Sequence, residues 1–157
     1  MLLKKNKQDL KFCGLKEEFS SWENSKIVIL PVAYDLTTSY KPGTIGGPKA
    51  IIDASRYMEV YDEETEKEIS ELGIHTAREI RSLRIQPESI IKKVEKKTSL
   101  ILNADKFPVI IGGEHSITLG PVLSCRKKFE NFSVLQLDAH SDTRDVFQGW
   151  KYSHGCI

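Results

Sequence analysis

The sequence predicts an α/β protein built on a mainly parallel sheet with helices on both faces. Three short apolar runs, residues 27–30, 107–111 and 133–137, have the length of strands buried on both sides. Helical patterns lie between them, and strand–helix–strand alternation calls for right-handed crossovers between parallel strands.

The elements follow in order. Ile27-Val28-Ile29-Leu30 is β-branched and ends at Pro31, which suits a buried strand. Residues 40–48 are rich in Gly and Pro and form a turn-laden loop, after which Pro48 can stand at the first helical position and Lys49 to Tyr57 continue as helix. From Met58 to Glu71 the chain is acidic and broken by Asp62-Glu63-Glu64, the pattern of a solvated hairpin or loop. Pro87 fits a first helical turn, and Glu88 complements the positive end of the helix dipole. Ile90, Ile91, Val94, Thr98 and Ile101 then recur at helical spacing, with lysines on the other face, until Asn103-Ala104-Asp105 ends the helix. Phe107 to Ile111 reads as a second buried strand closed by Gly112-Gly113. Ser116 to Phe129 reads as helix, interrupted or restarted at Gly120-Pro121, and Ser133 to Leu137 as a third strand.

Composition narrows the function classes. The 157 residues are 39% hydrophobic, enough for one domain with a sizeable core and too many for wholesale disorder. No apolar run approaches the ~18–20 residues that cross a bilayer, and Met1-Leu2-Leu3-Lys4-Lys5-Asn6-Lys7 carries no apolar segment of a secretory signal. A net charge of +1 gives no reason to expect nucleic acid or an anionic membrane as partner. Cys13, Cys125 and Cys156 are odd in number and far apart, so neither a disulfide framework nor a Cys-rich zinc site is expected, and a reducing cytoplasm fits. The glycine-rich stretch Gly43 to Pro48 lacks the Gly-Lys-Ser/Thr ending of a phosphate loop and reads as a rigid turn. Lys92-Lys93 and Lys96-Lys97 form a solvated helix face.

In sheets of this kind ligands bind at the carboxyl ends of the strands. The second strand is followed by Gly112-Gly113-Glu114-His115-Ser116, and the third by Asp138-Ala139-His140-Ser141-Asp142. In the latter, carboxylate, imidazole and carboxylate alternate at period two, so an extended chain would point all three the same way. An oxygen and nitrogen donor set without sulfur favours Mn2+ or a similar divalent ion over structural zinc. His115, from the neighbouring strand end, can complete the set. Each residue alone has a plainer reading, a hydrogen-bonded His or a capping Asp. Jointly, His115, Asp138, His140 and Asp142 would repel or stay unsatisfied if buried without a cation. Glu114 is read as a cap or an ion-pair partner.

At these motifs the sequence resembles the ureohydrolases: arginases, agmatinases and relatives. Pro31-Val32-Ala33-Tyr34-Asp35, Gly46-Gly47-Pro48 and Tyr152-Ser153-His154-Gly155 support the resemblance, which spans nearly the whole chain. The loop from Asp142-Thr143-Arg144 to Ser153-His154-Gly155 is most similar to the agmatinase branch. The resemblance implies a three-layer α/β/α fold and a pair of Mn2+ ions at the strand ends. It would place His115 and Asp142 on one ion, His140 on the other, and Asp138 between them. The ions would lower the pKa of a shared water, whose attack on a small guanidino substrate would release urea and an amine. With agmatine the amine is putrescine, a step of polyamine biosynthesis. His154 matches a histidine the family keeps near the site, either a proton shuttle or a loop residue bonded to backbone.

The resemblance also exposes departures. The family's later Asp-x-Asp motif and its later substrate-holding Glu are absent, and the sequence stops at Ile157. Residues 1–157 are therefore expected to form the N-terminal portion of a single ureohydrolase domain, homo-oligomeric when full length. As an incomplete piece they are expected to be inactive alone and prone to associate through the apolar edge at Ser133–Leu137. The loop at Tyr40–Ile45 lacks the Arg residues common in agmatinases. Guanidinobutyrase, formimidoylglutamase, arginase and a non-catalytic half-site stay open as alternatives.

Overall fold

The computed structural model describes residues 10–157; the leader reading made on Met1–Lys7 lies outside the described residues. In chain order the elements are α1 (Glu17–Ser20), β1 (Ile27–Ala33), α2 (Gly47–Ser55), β2 (Tyr61–Asp62), β3 (Lys67–Glu68), β4 (Ile74–Thr76), β5 (Ile80–Arg81), α3 (Pro87–Asn103), β6 (Phe107–Gly112) and α4 (Leu119–Lys128).

β1 is the centre of the sheet. It pairs in parallel with β6 along one edge, from Ile27 opposite Phe107 to Val32 opposite Gly112. Along the other edge it pairs in parallel with β4, and further on with β5. Its residues are buried on both faces, as a continuous β-branched run requires. Val28, Leu30, Val32 and Tyr34 point to one side, where Ile90, Ile91, Val94 and Ile101 of α3 cover them. Residues Ile29, Pro31 and Ala33 point to the other side, where Ile52 of α2 lines one cavity with Pro31. The result is the expected α/β/α layering around parallel strands.

Pro87 opens α3 as its spacing requires, and the helix closes at Asn103. α4 lies close against α3: a carbon atom added at Gly120 would stand 2.8 Å from Val94 Cβ. Ser124 Oγ donates to Glu95 O at 2.8 Å across the same contact. The change of helical geometry falls between Thr118 and Leu119, one residue before the Gly-Pro pair, because His115–Thr118 is a tight 3-10 turn. The acidic stretch after Met58 holds the hairpin of β2 and β3, closed by Asp62 Oδ1 accepting from Thr65 N and Oγ1. No helix among the described residues is long and apolar enough to cross a membrane.

One element differs from expectation. Ser133–Leu137 does not form a strand and pairs with nothing among the described residues. Val134, Leu135 and Leu137 are 62, 84 and 90% exposed. Pairing with the free edge of β6 would supply hydrogen bonds along one side only. The segment is exposed where it lies, and a parallel strand depends on cover over both faces.

Just after β6 the chain runs alongside the end of β1 at very short range. A carbon atom added at Gly113 would sit 1.9 Å from Tyr34 O. We expect Gly113→Ala to destabilise the chain by about 1–3 kcal/mol or more, as overpacking does, read as a lower midpoint in urea unfolding. We expect Leu135→Lys combined with Leu137→Lys to reduce self-association, because the pair breaks an exposed apolar patch; light scattering against concentration checks this.

Candidate metal centre

The first arm of the site is set by the crossing at Gly113. Its N–H donates to Val32 O at 3.2 Å, and Glu114 N donates to Tyr34 O at 2.9 Å. These bonds fix the direction of the next two side chains. Glu114 turns into the interior, 5% exposed. Its carboxylate accepts Thr37 N–H at 2.6 Å and Thr37 Oγ1 at 2.5 Å, and also accepts from Ser116 Oγ. Among the described residues it makes no ion pair and no side-chain cap hydrogen bond, so its role differs from both sequence readings.

His115 turns the other way, on the 3-10 turn that follows. Thr118 Oγ1 lies 3.1 Å from its Nδ1. Its Nε2 is buried and has no hydrogen-bond partner among the described residues. That atom stands 3.4 Å from Asp142 Oδ2 and 3.8 Å from Asp138 Oδ2. One ligating atom from each of His115, Asp138 and Asp142 lies within 4.8 Å of the others.

The second arm is irregular chain. Asp138 Oδ1 accepts His140 N–H at 2.9 Å, which closes a tight turn of the kind Asp side chains favour. This bond holds the Asp138 carboxyl below its ordinary range, against the opposing effect of desolvation; Gln136, His115 and His140 add to the lowering. The same turn breaks the period-two alternation expected of an extended segment. His140 is therefore turned away from the group of three: its side chain is 80% exposed, with Nδ1 3.4 Å from Asp138 Oδ1. Asp142 sits in the left-handed backbone region at φ 50°, which Asp tolerates. Its carbonyl accepts Ile157 N–H at 2.8 Å.

His154 lies on a separate loop beside these residues. Its main-chain N–H donates to Thr37 Oγ1 at 3.3 Å, and its Nε2 is 3.4 Å from Ser39 Oγ. The ring meets Phe147 edge-on at 5.3 Å. Its Nδ1 is buried without a partner. A cavity of about 590 Å³ opens between His154, Phe147, Arg144, His140 and Asp142.

A buried imidazole nitrogen aimed at two carboxylates, with its other nitrogen held by a hydroxyl, is the donor arrangement of a divalent cation site. Oxygen and nitrogen donors without sulfur suit Mn2+. Sequence reasoning overlooked Thr118 and Thr37. Thr118 stands three residues after His115, a local signal; Thr37 is 77 residues from Glu114 and leaves none.

The pattern of the arginase family matches residues 25–157. The chain belongs to the arginase family. Among arginase-family relatives, it is 35% identical over 147 residues to the N(1)-aminopropylagmatine ureohydrolase of Synechocystis, covering 90% of this chain and 48% of the relative. It is 33% identical over 134 residues to the agmatinase of Bacillus cereus, covering 85% and 46%. A solved variant of Trypanosoma cruzi formiminoglutamase with Mn2+ superposes with a TM-score of 0.76 at 25% identity, covering 87% of this chain and 48% of that one. The chain thus spans about half the length of the curated relatives it matches.

Because Thr118 Oγ1 engages Nδ1 of His115 and orients the ring, we expect Thr118→Val to weaken Mn2+ binding by about tenfold, the usual cost of losing an outer partner of a ligand. Isothermal titration calorimetry at fixed pH checks this.

Proposed function

We propose that residues 1–157 are the N-terminal portion of a single ureohydrolase domain, and that the complete site hydrolyses a guanidino C–N bond with Mn2+. Agmatine is the substrate and putrescine and urea are the products. The observation that carries this reading is the buried, unpartnered Nε2 of His115 facing Asp138 and Asp142. His115 and Asp142 would hold one ion, His140, on the solvent side of Asp138, would serve a second, and Asp138 would contribute to both. Bound Mn2+ supplies a water acidic enough to act as nucleophile at neutral pH.

The chain's own residues do the rest. His154, at the cavity wall, has an unpartnered Nδ1 and can hold or pass the proton that the departing amine nitrogen needs when its bond to carbon breaks. The oxygen of water ends on the guanidino carbon, and urea leaves.

Two relatives support the amine-tailed substrate by name: one an agmatinase, the other acting on N(1)-aminopropylagmatine. The second name supports the longer polyamine as a second reading, since that relative has the higher identity of the two. The Mn2+ of the formiminoglutamase variant supports the choice of metal. Free thiols at Cys13, Cys125 and Cys156 accord with a reducing cytoplasm, and a homo-oligomer is the state proposed for the full-length enzyme.

Calorimetry and a urea assay on the 157-residue chain test the proposal, with agmatine, N(1)-aminopropylagmatine and 4-guanidinobutyrate as substrates. Mn2+ is expected to bind, and Asp142→Asn to abolish binding. Little urea is expected, since the later Asp-x-Asp motif is not in this sequence. Failure of the unaltered chain to bind Mn2+ would overturn the metal reading, and brisk urea release would overturn the need for further ligands.

A further inference from the structure

Glu114 is the only buried carboxylate among the described residues, and no described cation pairs with it. An isolated buried charge is costly unless donors surround it. Here three donors do: Thr37 N–H, Thr37 O–H and Ser116 O–H. Thr37 and Ser116 are themselves 3% and 0% exposed. Burial, and then the neighbouring Glu114 charge, push the Tyr34 hydroxyl above its ordinary range.

The order of the bonds matters. Thr37 gives its hydroxyl proton to Glu114, which leaves the oxygen's lone pairs as the acceptor for His154 N–H. A carboxylate accepts only, so it fixes the direction of every bond in the row. Glu114 also immediately precedes His115. One buried group therefore touches the loops after β1 and β6 and, through Thr37, the His154 loop.

We propose that Glu114 is a positioning residue that, through Thr37, sets where the His154 imidazole stands relative to His115 and the metal centre. This rests on the reading that His115 helps to hold Mn2+. An apolar residue of similar volume could fill the same space, but it would leave Thr37 N–H unpaired and the Thr37 hydroxyl free to turn.

The variants Thr37→Ser, Thr37→Val and Glu114→Gln separate positioning from packing. The readouts are calorimetric Mn2+ affinity, the chemical shifts of the His154 imidazole in the ion-free chain, and the broadening of those signals by substoichiometric Mn2+, which falls steeply with distance. Thr37→Ser keeps both side-chain bonds and should match the unaltered chain in all three. Thr37→Val keeps the Thr37 main-chain bond but loses the link to His154. Its Mn2+ affinity should stay within about twofold, since His115 keeps its own partner. Its His154 shifts should move, and the broadening should change at least about twofold for a displacement near 1 Å. Glu114→Gln should alter His154 likewise, with Mn2+ affinity again within about twofold, since the Thr118–His115 contact is kept. Unchanged His154 shifts and broadening in folded Thr37→Val would overturn the inference, whether or not Glu114→Gln folds. If the unaltered chain takes no Mn2+, the metal reading fails, and the shifts in the ion-free chain still decide this one.

Discussion

The site depends on the close crossing point where the chain leaving β6 runs beside the end of its parallel neighbour β1, and Gly113 passes the Tyr34 carbonyl with no room for a side chain. β1 itself is held by ladders on both edges and cover on both faces, so it offers a fixed floor. Because the crossing leaves no slack, the backbone after Gly112 has one course. Glu114 must point inward to the Thr37 donors, and His115 must point outward to the carboxylates. A looser crossing would let these alternate side chains exchange roles, and an imidazole buried against Thr37 could not reach Asp138 or Asp142. The geometry of the candidate metal centre is thus decided by a backbone contact outside it.

Charge explains the other half of the arrangement. Two carboxylates near one imidazole repel each other unless something positive stands among them. The protein offers partial relief only: a main-chain N–H at Asp138, and no described Lys or Arg paired with either acid. At the buried Glu114, where no ion is wanted, the same chain surrounds the carboxylate with hydroxyl and amide donors instead. The contrast between one acid fully satisfied by protein and two left short of partners separates a structural carboxylate from the proposed metal ligands.

Much of this was legible before the structure, for identifiable reasons. β1, β6 and α3 are long and their patterns are strong: unbroken β-branched runs in the first two, a helical apolar stripe opened by Pro87 in the third. The Gly-Gly-Glu-His and Asp-x-His-x-Asp motifs are local, and local chemistry survives reading in one dimension. β4 and β5 were invisible because they are two or three residues long and owe their extended form to the ladder with β1 rather than to their own composition. The expected strand at Ser133–Leu137 fails for the converse reason: its composition is right, but no described neighbour covers it. His140 departs from the period-two rule because the Asp138 side chain bends the backbone through His140 N–H. The Glu114–Thr37 link joins residues brought together only by the crossing, so no spacing announces it.

The two arms of the metal centre are held unequally. His115 stands on a buried 3-10 turn between β6 and α4, in contact with the core through Ile117. Asp142 is fastened at its carbonyl by Ile157 N–H, and the bridge between Thr143 and Cys156 closes the same loop. Asp138, by contrast, follows the exposed apolar run at Val134–Leu137 and is oriented chiefly by the local turn through His140 N–H. A cation that bound all three side chains would therefore do its structural work mostly on Asp138. It would tie the least supported segment to the most supported one, and part of the binding free energy would go into ordering residues 133–142. Affinity at such a centre reports how well that segment is covered as much as which ligands it carries.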